Sequence, residues 1–128
     1  MVRKTYEAKN VVASGPYSNA VDAGELIFFS GQTAKNSASA SLTDDIGEQT
    51  RQCFRNLFEA LQATNLSPDD VVKVNVFLTD MNDLSAMNEV YKEYFDKPYP
   101  ARTCVAVLAL PLGAKVEIEM IAKKTDWK

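Results

Sequence analysis

Two stretches of this chain carry the three- and four-residue apolar spacing of a helix packed on one side. In residues 44–64 the stripe is Ile46, Thr50, Cys53, Leu57, Leu61 and Thr64, and in residues 84–95 it is Leu84, Met87, Tyr91 and Tyr94. The other regular segments are short β-branched or alternating runs bounded by Gly, Pro, Asn and Asp, which read as strands. Two helices cover one face of a sheet and leave the other bare. The expected fold class is therefore α+β, a mixed β-sheet with two helices packed on one face. A length of 128 residues fits a single domain, 1–128, able to bury roughly two-thirds of its unfolded surface. The face without helices carries Val and Phe among polar residues. A solvated apolar sheet face of that extent is unusual, so the chain is expected to bury it against copies of itself in closed cyclic symmetry.

The element order reads ββ(β)αβαββ. Residues 1–9 supply a short first strand. Gly15-Pro16-Tyr17 interrupts the chain, and Tyr17 to Val21 resumes it as a strand. Asp22-Ala23-Gly24-Glu25 is a hairpin turn. Leu26 to Phe29 forms a buried strand ending at Ser30-Gly31-Gln32, and the small polar residues 33–43 form a mobile surface loop. Thr43 is placed to cap the first helix, Asp44 and Asp45 suit the positive end of its dipole, and Asn65 can close it. In the strand Val71–Leu78, Val72, Val74, Val76 and Leu78 are expected to face one way, and Lys73, Asn75 and Phe77 the other. Pro98 and Pro100 bar further helix. The last strands are 101–109 and 115–123, joined by a turn through Pro111 and Gly113.

Composition narrows the chemistry. The chain has no histidine, which excludes a histidine general base, a Ser-His-Asp triad and the usual zinc or haem sites. Acid–base work falls to carboxylates, Tyr, Cys, Lys or substrate atoms. A net charge of −3 without a basic tract is a weak electrostatic footprint for nucleic acid. Cys53 and Cys104 fit no metal or redox spacing and read as free thiols in a reducing compartment. No apolar stretch approaches membrane-spanning length, and residues 1–10 lack a signal-peptide core. The expected location is cytoplasmic, with a mitochondrial form left open if a transit peptide was trimmed.

Arg102 stands out from this background. It interrupts Pro100-Ala101-Arg102-Thr103-Cys104-Val105-Ala106-Val107, a run otherwise small or apolar, where a cation is costly without an anionic partner. Its planar fork suits a carboxylate. The strand Val116-Glu117-Ile118-Glu119-Met120 puts acids on one face. Two readings stay open: a structural ion pair from Arg102 to Glu117 or Glu119, or a site in which Arg102 grips a small carboxylate while an acid handles water. The other candidates have plain alternatives too. Tyr17 can be an ordinary half-buried strand residue, Ser30-Gly31 a strand end, Asn88 a solvated amide and Cys104 an inert buried thiol.

Five segments, taken in order, resemble the RidA/YjgF family of small reactive-intermediate deaminases. They are Gly15-Pro16-Tyr17-Ser18, Phe29-Ser30-Gly31-Gln32, Val72 to Leu78 followed by Asp80 and Asn82, Pro100 to Val105, and Val116 to Ala122. The resemblance implies a chorismate-mutase-like fold assembled as a homotrimer, with clefts between subunits and no cofactor. It also implies hydrolysis of 2-iminobutanoate, 2-iminopropanoate or their enamine tautomers, released by pyridoxal-phosphate enzymes, to 2-oxo acids and ammonia. Carried onto this sequence, Arg102 holds the substrate carboxylate, Glu117 handles water, and Tyr17 bonds the developing amine or the water. Ser30, Gly31, Asn88 and Cys104 line the pocket, and Thr103 keeps a hydroxyl where many members have serine. Two other functions remain: a module that binds 2-oxo acids without turnover, and an RNA-acting role, against which the acidic balance argues.

Overall fold

The computed structural model describes residues 2–11, 13–36 and 42–124. The strands are β1 (Lys4–Tyr6), β2 (Ala20–Asp22), β3 (Leu26–Gln32), β4 (Val71–Leu78), β5 (Ala101–Ala106) and β6 (Val116–Lys123). The helices are α1 (Ile46–Ala63) and α2 (Leu84–Tyr94), with single 3-10 turns at Pro68–Asp70, Met81–Asp83 and Pro111–Gly113. The six strands lie in the order β1-β2-β3-β6-β4-β5. All neighbours run antiparallel except β4 and β5, which are parallel, as a helical crossover through α2 allows. The expected α+β architecture is what the chain adopts.

Both helices pack on one face of the sheet. Val116, Ile118, Met120 and Ala122 of β6 are buried there with Val74, Val76 and Leu78 of β4, under Cys53, Phe54, Leu57 and Leu61 of α1. Phe54 is the hub of an aromatic cluster. Its ring stacks on Tyr94 at 4.8 Å and meets Tyr91 and Phe95 edge-on at 5.7 and 5.6 Å. Tyr91 and Tyr94 belong to α2, so this cluster joins the two helices, and the predicted α2 stripe is confirmed. Arg51 adds a bidentate bridge from α1 to Glu93 of α2.

Several local expectations need correction. The cap of α1 is Asp45, whose side chain accepts from Glu48 N at 3.1 Å, so the helix starts two residues later than expected. Thr43 sits one step further out, with its hydroxyl accepting from Asp45 N. Asn65 does close the helix, in the left-handed region at φ 62°. Along β4 the pairing with β6 skips a residue between Val71 and Lys73. This bulge turns Val71 into the core and leaves Val72 on the surface, contrary to simple alternation. Tyr17 to Asn19 are not strand: Tyr17 N bonds back to Gly15 O, and pairing begins only at Ala20 opposite Phe29. The last turn of sheet in β5 ends at Ala106, because β4 ends at Leu78, whose carbonyl accepts Val107 N. The start of the 33–43 segment is no mobile loop. Thr33 and Ala34 are buried, and Asn56 of α1 donates to the carbonyls of Thr33 and Lys35. Residues 37–41 of that segment lie outside the described residues.

The face opposite the helices carries Phe28 and Val105, 45% and 41% exposed, with Phe77 and Ile121 half-buried between them. On the same face Asn75 donates to Glu119 at 3.0 Å and Lys73 to Thr103 at 2.9 Å. It is the mixed apolar and polar surface expected of a sheet covered on one side only. No helix among the described residues is long and apolar enough to cross a membrane.

Candidate active site

Arg102 projects from β5 toward the helices. Its register partner on β4 is Val74, a fully buried residue of the helix-facing side, and paired residues point to the same face. At this edge of the sheet the side chain reaches the rim of α2 instead of entering the core. Its Nη1 donates to Asn88 Oδ1 at 2.8 Å, and its guanidinium lies over the Tyr91 ring at 4.7 Å. These groups, with Tyr99 and Pro100, line a recess of about 380 Å³. No carboxylate among the described residues pairs with Arg102. The structural ion pair to Glu117 or Glu119 is therefore not formed within the chain. The expectation of a cation buried inside a strand is also corrected, because β5 is an edge strand and Arg102 is exposed.

Glu117 lies on the other side. Its register partner is Phe77, three residues along β4 from Val74, and an odd offset reverses the face. Tyr17, Ser30, Gly31, Pro111 and Leu112 surround it in a recess of about 390 Å³. A β-carbon on Gly31 would come within 3.2 Å of the Glu117 carboxylate, so the glycine gives this acid its room. Burial, and secondly the nearby Glu119 carboxylate, raise the Glu117 pKa above the ordinary carboxylate range. Ser30 is committed to structure: its hydroxyl donates to Ser18 O at 2.6 Å and its amide to Asn19 O. Tyr17 is 44% exposed, and its hydroxyl contacts the Ser14 amide and hydroxyl.

One chain thus holds two separate clusters. Glu117, Tyr17, Ser30 and Gly31 come together, as do Arg102 and Asn88. The two groups are two strands apart on opposite faces, about 10 Å across and about 10 Å along the sheet at standard spacings. Thr103 follows Glu117's face, not that of its neighbour Arg102, and its hydroxyl accepts from Lys73. Cys104, paired with Val76, packs against the core on the helix side. Burial raises its pKa, outweighing the lowering by Arg102, so it is a protonated thiol near neutral pH. Tyr91 was legible only as a core residue, and its i,i+3 spacing from Asn88 was the available hint that the two share a rim.

A family model described as "Endoribonuclease L-PSP" matches residues 7–124. The chain is 46% identical over 125 residues to "Protein mmf2, mitochondrial" of Schizosaccharomyces pombe, covering 95% of this chain and 98% of that protein. It is 43% identical over 108 residues to "2-iminobutanoate/2-iminopropanoate deaminase" of Dermatophagoides farinae, covering 84% of each. Among solved structures, Escherichia coli TdcF with bound serine superposes with a TM-score of 0.89 at 39% identity, covering 95% of this chain and 99% of that one. Proteins named as reactive intermediate deaminases are thus among its relatives, beside others named differently. With the fold shared throughout and the family model spanning nearly the whole sequence, the chain belongs to the Endoribonuclease L-PSP family, the RidA/YjgF family that its five motifs resemble.

Proposed function

We propose that this protein is a 2-imino acid deaminase whose site is assembled between copies of the chain in a homotrimer. The observation that carries the reading is the division of labour within one chain. Among the described residues Arg102 pairs with no acid and the half-buried Glu117 with no cation, and they lie on opposite faces of the sheet. Each cluster holds half of what imine hydrolysis needs, and the apolar face on Glu117's side of the sheet calls for a partner. The relative named 2-iminobutanoate/2-iminopropanoate deaminase supports the reaction, and the relative crystallised with serine supports a ligand of that size. The cytosol is the proposed location, resting on the two free thiols; the fission-yeast relative carries a mitochondrial name.

In this reading Arg102 of one subunit grips the substrate carboxylate with its unused donors. Glu117 of the next takes a proton from water as the water oxygen bonds to the imine carbon, giving a carbinolamine. Glu117 then returns the proton to the nitrogen, the C–N bond breaks with its electron pair leaving on ammonia, and the hydroxyl proton passes to the freed Glu117 carboxylate and on to that ammonia as the C=O forms. The products are a 2-oxo acid and ammonia. Tyr17 is within the Glu117 cluster to bond the water or the amine. Thr103 and Cys104 contribute through the β5 backbone, since their side chains are occupied elsewhere. No cofactor enters, because a protonated imine carbon is already electrophilic and the protein mainly positions the reactants.

The decisive test generates 2-iminobutanoate in situ and traps the surviving imine with semicarbazide. Wild type should speed imine loss, and Arg102→Ala should lose about 100-fold or more in kcat/KM, as expected for deleting a charge-assisted grip on a carboxylate. Undiminished turnover by Arg102→Ala overturns the assignment of Arg102. A wild type that binds 2-oxobutanoate but leaves the imine untouched is a metabolite-binding module instead.

Two further outcomes follow from the geometry around Glu117. Gly31→Ala should lower kcat about tenfold with little change in unfolding midpoint, because the new methyl, 3.2 Å from the carboxylate, pushes the acid off its position by a fraction of an ångström. Equal activity in that variant would show that the acid has room to spare. As a base, Glu117 must be ionised, so activity should fall as the pH drops through a value above the ordinary carboxylate pKa. Glu119→Gln should move that acid limb to lower pH, in part only, since burial is the larger cause. A limb that stays put in Glu119→Gln would separate Glu117 from the profile.

A further inference from the structure

We propose that Asn88 and Tyr91 form a neutral cradle that aims the Arg102 guanidinium while leaving its positive charge uncompensated for an incoming carboxylate. The inference rests on the deaminase reading above and assigns Tyr91 and Asn88 as positioning residues within it.

An exposed arginine on an edge strand ordinarily samples many rotamers. Here two contacts restrict it from one helix. Asn88 and Tyr91 stand three residues apart on the same face of α2. Asn88 Oδ1 takes one of the five guanidinium donors at 2.8 Å, and the Tyr91 ring takes one face of the plane at 4.7 Å. Asn88 is the guanidinium's sole polar partner among the described residues, so the rest of the fork stays available. Both supports are uncharged. An acid in place of Asn88 would hold the arginine at least as firmly but would cancel the charge that recognises a carboxylate. Lys92 and Glu89 also line this recess, but they pair with each other at 3.3 Å and so add no net charge beside the guanidinium.

Tyr91 suits the role through what its hydroxyl does not do. The residue is 5% exposed, and its hydroxyl oxygen has no hydrogen-bond partner among the described residues. Burial, and secondarily Tyr99, push its pKa up to about 12 against the lowering by Arg102. The phenol therefore stays neutral, and the contribution to Arg102 comes from the ring face. The ring in turn is fixed by Phe54 and Phe95 at 5.7 and 5.1 Å. Arg102 is thus seated on the aromatic core by way of one side chain.

The experiment measures two quantities on the full-length protein. The first is 2-oxobutanoate affinity by calorimetry. The second is the order of the Arg102 Nε–H bond by 15N relaxation, which needs no ligand or turnover. Asn88→Asp should keep the Nε ordered and the unfolding midpoint unchanged or higher, yet weaken 2-oxobutanoate about tenfold or more through charge cancellation. Tyr91→Phe should preserve both readouts, because the ring face remains. Tyr91→Leu should loosen the Nε and weaken the ligand about tenfold. Wild-type affinity in Asn88→Asp, or an Arg102 Nε as mobile in wild type as that of exposed Arg3, overturns the cradle and leaves the deaminase reading standing. An ordered Arg102 in a wild type that neither binds 2-oxobutanoate nor hydrolyses the imine overturns the deaminase reading while upholding the cradle's geometry.

Discussion

Arg102→Ala chains mixed with Glu117→Ala chains are expected to recover imine hydrolysis that neither variant shows alone. The expectation follows from the sheet. Arg102 and Glu117 point to opposite faces across two strands, so no side-chain rotation within one chain brings them to a common substrate. If Arg102 of one subunit serves Glu117 of its neighbour, a mixed trimer always contains one interface with both native residues. Random reassembly at equal ratio makes about three-quarters of the trimers mixed, each with one competent site in three, so about a quarter of wild-type activity should return. Co-expression with two different tags, followed by sequential purification, isolates the mixed species for assay. Activity that stays at the level of the single variants would place both residues in the same chain's site and break the composite arrangement. The same result would require β5 to leave the position it has beside β4.

Phe54→Ala should be the most damaging single substitution in the core, costing about 3–5 kcal/mol of unfolding free energy. Phe54 is completely buried and touches four other rings, Phe58, Tyr91, Tyr94 and Phe95. Removing the ring takes away its transfer free energy and leaves a gap that α1, α2 and the sheet cannot all close at once. Urea unfolding at fixed protein concentration is the suitable measurement, because in the proposed trimer subunit association would contribute to the apparent stability. Phe54→Leu, which keeps most of the volume, should cost markedly less. A loss below about 1 kcal/mol for the alanine variant would mean that the neighbouring rings collapse into the space.

The sequence carried the helices and the fold class well, because each helix repeats its message over several turns. Leu57 and Leu61 of α1 and Met87 and Tyr91 of α2 are buried where the spacing put them. The strands were legible as strands but not in their pairing. Alternation says which residues share a face within a strand, and says nothing of which neighbour they meet. Hence the bulge at Val72 was missed, and so was the offset that parts Arg102 from Glu117. The residues of the candidate site were identifiable through motifs, while their division into two clusters required the register. Asn88 shows the difference most clearly. As a letter beside an apolar stripe it had no partner, and only the parallel seating of β5 against β4 brings Arg102 to it.

The contact of Arg102 with Tyr91 has one more consequence, for how this protein tolerates change. Tyr91 belongs at once to the wall that receives the arginine and to the ring cluster that fastens α2 to α1. There is no spacer layer between foundation and working surface. A lesion in α1, a helix that contributes no residue to the recess around Arg102, should still reach the guanidinium through the Tyr91 ring. In a random mutant library screened for activity, the interior of α1 should therefore score like a functional site, and the spread of tolerated substitutions at Phe54 should match that at Tyr91 more closely than that at other buried positions.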